Sequence, residues 1–336
     1  MNNIYRCGAT VRGSRAFWYK ESKQLASMIE QLQTPTFFFT LSMADLHWPE
    51  LHKEIAKMPG APNPYEEGLT ERQCFERRRR NLREYPHLAA TYLNRRWQSL
   101  KKHVLDHIVP GGHSKVLDHW FRYEWQARGS GHIHGFLWCQ GAPNMDRLDW
   151  SDDDAVEAAR AYFASSITAF NPLTGAAAPE VEATLHDMTN REVRRARHPD
   201  IDHGELANRV QMHGRVLNGD RQCTVGCKRR RGGEEYCRFA APWECTDHAN
   251  LFIEHGPLLP NKRRKITFEP RRNDAWLNRH NKLLLIAWRA NCDIQPVLDK
   301  HSAMAYIAKY ASKSEEETTT YRQLMLHAVC TKQRLG

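Results

Sequence analysis

Residues 117–138 read LDHWFRYEWQARGSGHIHGFLW, and this stretch decides the fold. Two arms rich in aromatic residues, 117–126 and 132–138, flank a turn that contains Gly129 and Gly131. Aromatic residues favour strands, and a short glycine-rich link between two such runs is typical of a β-hairpin. The stretch therefore predicts an antiparallel hairpin whose second arm carries His132 and His134.

The two histidines of this arm are candidate metal ligands. Side chains at positions i and i+2 of a strand project from one face, roughly 6.5 to 7 Å apart, so His132 and His134 can both reach one ion. Glu124 and Gln126 on the opposite arm share strand parity, and either is a candidate third ligand because the register is not fixed by sequence. The alternative is an ordinary exposed strand face in a chain with 18 histidines.

A second group of reactive side chains follows a helical spacing near the end of the chain. Tyr306, Lys309, Tyr310 and Lys313 fall at i, i+3, i+4 and i+7, so they share one helix face. A phenol with a pKa near 10 is a weak nucleophile at neutral pH, and neighbouring cations offset that deficit in attack on a phosphodiester. The alternative is a helix with core-facing tyrosines and outward-reaching lysines.

Further elements frame these motifs. Residues 35–42 predict a strand buried on both faces, and residues 70–108 predict two helices separated at Pro86, the first with exposed arginines at 77–80. A helix is predicted over 152–163 within a helical region at 144–215, and residues 283–288 are apolar enough to be buried.

Four of the nine cysteines cluster in a basic segment. Cys223, Cys227, Cys237 and Cys245 favour a structural zinc site, although His213 or His248 can replace one cysteine and the fourth ligand stays open. Free thiols in a basic loop are the alternative. A zinc ion would order this insertion and present Arg229, Arg230 and Arg231 to a DNA backbone.

The composition indicates a polyanion partner. Lysine and arginine total 49 against 39 acidic residues, which gives a net charge of +10. With 41% hydrophobic residues the chain is not disordered, and it has no apolar run long enough to cross a membrane. The opening residues lack the pattern of a secretory leader, so we expect an intracellular protein without a membrane partner.

Three motifs in this order resemble those of a known family. The strand 37–42, the hairpin with its two histidines and the helix with its two tyrosines are similar to the replication-initiator domain of Helitron-type rolling-circle transposases. That domain is of the HUH endonuclease class, and the resemblance runs from Arg12 to Lys313. It also takes in residues 290–296.

The resemblance implies a fold and a domain organisation. We expect an α+β protein with an antiparallel HUH-endonuclease sheet, helices on a face of that sheet and a zinc-stapled insertion. The core would comprise residues 1–139 and 276–336, and the insertion would comprise residues 140–275.

The resemblance also implies an activity, namely metal-dependent cleavage and strand transfer of single-stranded DNA. Tyr306 and Tyr310 would be the nucleophiles that form 5′-phosphotyrosine intermediates, with Lys309 and Lys313 against the phosphate. His132 and His134, with Glu124 or Gln126, would hold Mg²⁺ or Mn²⁺, since the chemistry needs labile phosphate coordination. Arg128 would contact DNA, and the protein would act in the nucleus of a eukaryotic host.

One departure from the family is large. Its transposases carry a helicase after this domain, but no Gly-x-x-x-x-Gly-Lys-Ser/Thr phosphate loop occurs in these residues. We therefore expect a fragment, a truncated copy or a domesticated descendant, with a helicase domain in cis in the full-length protein. The rival hypothesis is a catalytically inactive or domesticated nucleic-acid-binding module.

Overall fold

The computed structural model describes residues 15–110, 115–125, 130–174, 199–256 and 264–311, and the side chains at 15, 199–201 and 307–311 lie outside this description. The helices are α1 (Arg15–Leu32), α2 (Pro49–Ile55), α3 (Glu71–Glu84), α4 (Pro86–His103), α5 (Asp153–Ser166), α6 (Pro199–Leu206), α7 (Lys282–Trp288) and α8 (Lys300–Ala311). The strands are β1 (Phe37–Ser42), β2 (Val116–Trp125), β3 (Gly131–Cys139), β4 (Arg215–Leu217), β5 (Asp220–Gln222), β6 (Lys228–Arg231), β7 (Glu234–Cys237), β8 (Asn250–Ile253), β9 (Ile266–Glu269) and β10 (Cys292–Pro296). The predicted mixed α+β class with antiparallel sheets is confirmed.

The central sheet has four antiparallel strands in the order β10-β1-β3-β2. Thr40 of β1 lies opposite His134 on one side and Asp293 on the other, and His134 lies opposite Arg122 of β2. Directly paired residues share a face of the sheet. A row of polar side chains therefore crosses one face, in the order Asp293, Thr40, His134, Arg122.

Helices cover both faces of this sheet, which corrects the expectation of helices on a single face. Phe37, Phe39 and Leu41 of β1 are fully buried against α2, α4, α5 and α7. On the opposite face, Leu25 and Ile29 of α1 pack with residues of β3 and α8. The physical reason is the aromatic run 37–39: consecutive strand residues point in opposite directions, so both faces of β1 carry apolar surface that needs cover.

The helices predicted around the sheet are confirmed, but the expectation that residues 77–80 are all exposed is wrong at Arg78, which is buried and pairs with Glu71 at 2.8 Å. The two helices separated at Pro86 are α3 and α4, and Pro86 occupies the first turn of α4, where its missing N–H costs nothing. Thr70 caps α3 through reciprocal hydrogen bonds with Gln73. The helix predicted over 152–163 is α5, and Asp152 caps it.

The cysteine-bearing segment forms two short hairpins, β4–β5 and β6–β7, outside the central sheet. It joins the rest of the molecule where the His213 backbone N–H donates to the carbonyl oxygen of Trp276 at 2.7 Å. The C-terminal strand β10 pairs with β1, so the two ends of the described chain build one sheet. The domain boundaries at 139 and 275 stay predictions.

Candidate active site and metal centre

The register of the β2–β3 hairpin shows which residue of β2 faces the histidine pair. Glu124 lies directly opposite His132, and Arg122 lies opposite His134. Of the two candidate third ligands, the structure brings Glu124 to the histidine face, whereas Gln126 lies outside the described residues. Arg128, the predicted DNA contact in the turn, also lies outside them.

His134 is buried and held from two neighbouring strands. Its Nδ1 lies 2.9 Å from the Thr40 hydroxyl, and its Nε2 lies 2.9 Å from Oε2 of Glu124. The rings of His132 and His134 project from the same face with centroids 6.0 Å apart. The hairpin thus places two imidazoles and one carboxylate on one face, and these are residue types that bind divalent ions.

Two charged residues beside this group were not expected from sequence. The Arg122 side chain is 5% exposed, and its guanidinium lies over the Trp18 ring of α1 at 3.9 Å. Asp293 enters from β10, and burial raises the pKa of its carboxyl, although Arg279, Gln295 and His134 act in the opposite direction. Both residues belong to the polar row that crosses the sheet, and only the strand pairing reveals them.

Tyr306 of α8 packs on the same face of the sheet as the histidines. Its ring lies 4.5 Å from the Phe38 ring and 5.2 Å from the Phe136 ring, measured between centroids. Phe38 also stacks on His134 with centroids 6.2 Å apart, so one phenylalanine contacts both the tyrosine and the histidine. The expected helix is confirmed as α8.

The other reactive residues of this helix are less completely described. Lys309 and Tyr310 fall within α8, but their side chains are outside the described set, and Lys313 lies beyond the described residues. A cavity of about 400 Å³ opens beside Tyr306, with Phe38, Phe136 and Gln295 in its wall.

A second cluster lies at the base of the two short hairpins. His213, Cys223, Cys227 and Cys237 bring one ligand atom each to within 4.8 Å of one another. Nε2 of His213 is 3.3 Å from Sγ of Cys237 and 3.6 Å from Sγ of Cys223. One imidazole and three thiols form a standard structural zinc donor set, and this cluster can hold a metal ion such as zinc.

The fourth position of this cluster corrects one sequence prediction. Cys245 and His248 are exposed and do not belong to the cluster, so Cys245 as fourth ligand is wrong and His213, one of the two alternatives named from sequence, joins the three thiols. Trp276 stacks on the His213 ring, and Phe239 and Trp243 contact its edges, which positions the imidazole. Burial lowers the pKa of His213, which favours the neutral ring that a metal requires.

The thiols of this cluster differ in acidity. Burial raises the pKa of Cys223 to about 12, and contacts with Cys237 and Cys227 add to the effect. Burial acts in the same direction on Cys237, but backbone N–H groups of Phe239 and Ala241 outweigh it and lower the pKa of that thiol. Cys237 therefore loses its proton more readily than Cys223 when a cation arrives.

Arg229, Arg230 and Arg231 form the exposed strand β6 beside this cluster. Glu235 on β7 pairs with Arg230 at 2.9 Å and with Lys228 at 3.2 Å, which neutralises part of the charge. No helix among the described residues is long and apolar enough to span a membrane.

Comparison with known proteins supports the resemblance seen in the motifs. A family model described as the Helitron helicase-like domain at the N-terminus matches residues 1–137. The similarity to a Helitron-type domain is thereby confirmed over β1, β2 and most of β3, including His132 and His134. It stops before the cysteine cluster and α8. No curated protein matches the chain significantly.

The matched domain is consistent with a transposase-associated role in nucleic-acid processing, with a helicase as the partner expected in cis.

Proposed function

We propose that this chain is a metal-dependent endonuclease and strand transferase that acts on single-stranded DNA through 5′-phosphotyrosine intermediates, with the HUH type of core. The observation that carries the proposal is the shared face of the sheet. His132, His134 and Glu124 project from the face on which Tyr306 packs, with Phe38 in contact with both Tyr306 and His134. A nucleophile and a donor set for a divalent ion thus occupy one surface.

The chemistry of the residues on this face supports the ion that the proposal requires. His132, His134 and Glu124 would hold Mg²⁺ or Mn²⁺. The bonds of these residues to the ion would replace the existing hydrogen bond between Glu124 and His134. The Thr40 hydroxyl contacts Nδ1 of His134, so its oxygen can accept a hydrogen bond from Nδ1–H and leave Nε2 as the ligand atom. When bound, the ion supplies Lewis-acid polarisation of a phosphate oxygen.

The tyrosine performs the bond exchange. The Tyr306 phenol oxygen bonds to phosphorus while the bond to the 3′ oxygen breaks, and the proton lost by the phenol is balanced by one gained at that 3′ oxygen. The energy of the phosphodiester is kept in the phosphotyrosine bond, so the step is reversible and permits rejoining. Tyr310 lies one turn later in α8 and would act on a second strand, with Lys309 and Lys313 near the phosphate.

Charge and metal content support a DNA partner. The net charge of +10 and the exposed arginines of β6 suit a phosphate backbone, and the cluster at His213 would hold structural zinc. We place the protein in the nucleus if the host is eukaryotic, with a helicase domain in cis.

A gel assay for covalent adducts tests the proposal. Labelled single-stranded and fully paired oligonucleotides are incubated with Mn²⁺ or with a chelator. We expect cleavage and a protein–DNA adduct only with the single strand and Mn²⁺. Tyr19, an exposed residue of α1, supplies the control: Tyr19→Phe should cleave like the parent. Cleavage that continues unchanged in chelator would refute the metal requirement.

The same assay separates the rival function. A catalytically inactive nucleic-acid-binding module would keep the basic strand and the cysteine cluster, and the family match, which ends before α8, is compatible with it. Such a module binds the oligonucleotide in a salt-dependent way but yields no adduct under any ion.

A further inference from the structure

We infer that a cavity on the other side of the central sheet binds a nucleotide unit, with the phosphate on its cationic side chains and the base on its apolar wall. The cavity has a volume of about 590 Å³ and lies between α5, residues 168–172 and the start of α7. This inference goes beyond the proposed nuclease function, which uses the opposite face.

The position of α5 separates the two sites. Phe163 of α5 packs edge-on against Phe37 with ring centroids 6.0 Å apart. Phe37 and Phe38 are consecutive in β1 and point to opposite faces, and Phe38 belongs to the histidine face. A ligand in the cavity would therefore not touch His134 or Tyr306.

The wall of the cavity concentrates positive charge. Its cationic members are Arg160, Arg271 and Lys282, and His203 and His248 also line it. Arg160 pairs with Glu157, an exposed residue one turn earlier in α5. Cationic side chains grouped along one concave wall raise the local concentration of anions there.

The remaining wall is apolar and aromatic. The guanidinium of Arg271 lies 4.2 Å from the centroid of the Phe170 ring, and Ala164, Ile167 and Pro172 continue this surface. Aromatic rings and guanidinium planes are the platforms on which unstacked bases lie. A simple inorganic anion would leave this surface uncovered, whereas a nucleotide covers it, and the volume is within the range of small-ligand sites.

His203, which lines the cavity, is held in place by buried polar contacts. Nδ1 of His280 donates to the Asn278 carbonyl oxygen at 3.0 Å, and Nε2 of His203 lies 2.7 Å from Nε2 of His280. Burial lowers the pKa of His280 to about 3, so that ring is neutral and its Nε2 accepts a hydrogen bond from the Nε2–H of His203. The cavity thus exists before a ligand arrives, which limits the entropy lost on binding.

Equilibrium titrations of the full chain test the inference. The probes are a labelled oligonucleotide of about 12 nucleotides, dAMP and inorganic phosphate. We expect the double variant R271A/K282A to bind the oligonucleotide about tenfold more weakly, with a salt slope smaller by about 1.4, since each phosphate contact on a single strand contributes about 0.7. Lys57→Ala, an exposed lysine of the loop after α2 that pairs with Glu54, is the matched control.

The probes distinguish the source of the nucleotide. If the oligonucleotide displaces dAMP, the cavity holds a nucleotide of a DNA strand; if dAMP binds without displacement, it holds a free nucleotide, and both outcomes support the shared chemistry. Equal affinities of R271A/K282A and Lys57→Ala for dAMP and the oligonucleotide overturn the inference. If inorganic phosphate binds as tightly as dAMP, the inference that the apolar wall binds the base is overturned.

Two controls accompany this test, one for charge and one for folding. Arg271→Lys keeps the charge and should retain phosphate binding, and thermal unfolding of each variant reports folding. Adduct formation at saturating DNA is expected from R271A/K282A if the nuclease proposal holds, so failure of one proposal is visible separately from failure of the other.

Discussion

Nε2 of His134 lies 2.9 Å from Oε2 of Glu124, while Nδ1 of the same ring lies 2.9 Å from the hydroxyl of Thr40. These contacts join three neighbouring strands, β2, β3 and β1, at one point of the sheet. The ring is 7% exposed, so its orientation is set by packing and by both hydrogen bonds. A donor set assembled across three strands depends on the strand register, and each member can be tested by a single substitution.

Replacing Glu124 by Gln should weaken Mn²⁺ binding by about tenfold or more, because the carboxylate charge is lost while the side-chain shape is kept. Titration of the zinc-loaded protein with Mn²⁺ measures this affinity. Glu67, an exposed acid distant in sequence, supplies the control Glu67→Gln. Equal Mn²⁺ affinity of the two variants would remove Glu124 from the ligand set.

Replacing Gly135 by Ala should destabilise the fold by about 1 to 3 kcal/mol through overpacking. A Cβ at this position would lie 2.5 Å from both the Phe39 ring and the Trp120 carbonyl oxygen. Urea denaturation measures the free energy of unfolding. Gly256→Ala, where a Cβ meets nothing within 4 Å, should change it by less than about 0.5 kcal/mol. A similar midpoint for both variants would contradict the close packing of β1 on β3.

The elements that carry strong local signals could be predicted from sequence. The hairpin, the buried strand β1 and the helices separated at Pro86 each follow from periodicity, turn residues or proline chemistry, which act over a few neighbouring residues. The cysteine spacing likewise indicated Cys223, Cys227 and Cys237.

The residues that sequence did not reveal depend on contacts between distant segments. Asp293 joins the polar row only because β10 pairs with β1, and Arg122 is identified by the register of the hairpin. Sequence offered both His213 and His248 as ligands, and only the fold decides between them: the β4–β5 hairpin folds back and brings His213 to the thiols. The cavity at Arg271 assembles from α5, residues 168–172 and α7, with no shared motif.

Zinc content should distinguish the alternatives for the fourth ligand. We expect about one zinc per chain, lost in Cys223→Ser and in His213→Asn but retained in Cys245→Ser, because Cys245 lies outside the cluster. Elemental analysis of the purified variants measures this. Loss of zinc in Cys245→Ser with retention in His213→Asn would reverse the assignment. His132→Ala should leave the zinc content unchanged.

His280 should make the fold less stable in mild acid. Its pKa lies near 3 in the folded chain, below the ordinary 6.5, so the unfolded chain binds more protons between these values and stability falls as the pH drops. Between about pH 7 and pH 5.5 the expected loss is about 1 kcal/mol. Urea midpoints at both pH values should show this loss in the parent and in the exposed-site control His87→Gln. His280→Gln should show a smaller loss; an identical loss would mean that other groups cause it.

Tyr306 and Tyr310 stand one turn apart in α8, so they should act in succession or on different strands rather than on one phosphate at once. Tyr306→Phe removes one oxygen and keeps the ring that packs on Phe38 and Phe136, so the variant should fold normally. We expect each single variant to retain some cleavage but to lose strand transfer, because rejoining one strand while another is held needs two covalent anchors. The double variant should form no adduct on a denaturing gel and should bind single-stranded DNA nearly as well as the parent. An adduct that persists in the double variant would show that neither phenol is the nucleophile, and α8 would then serve only to cover the sheet.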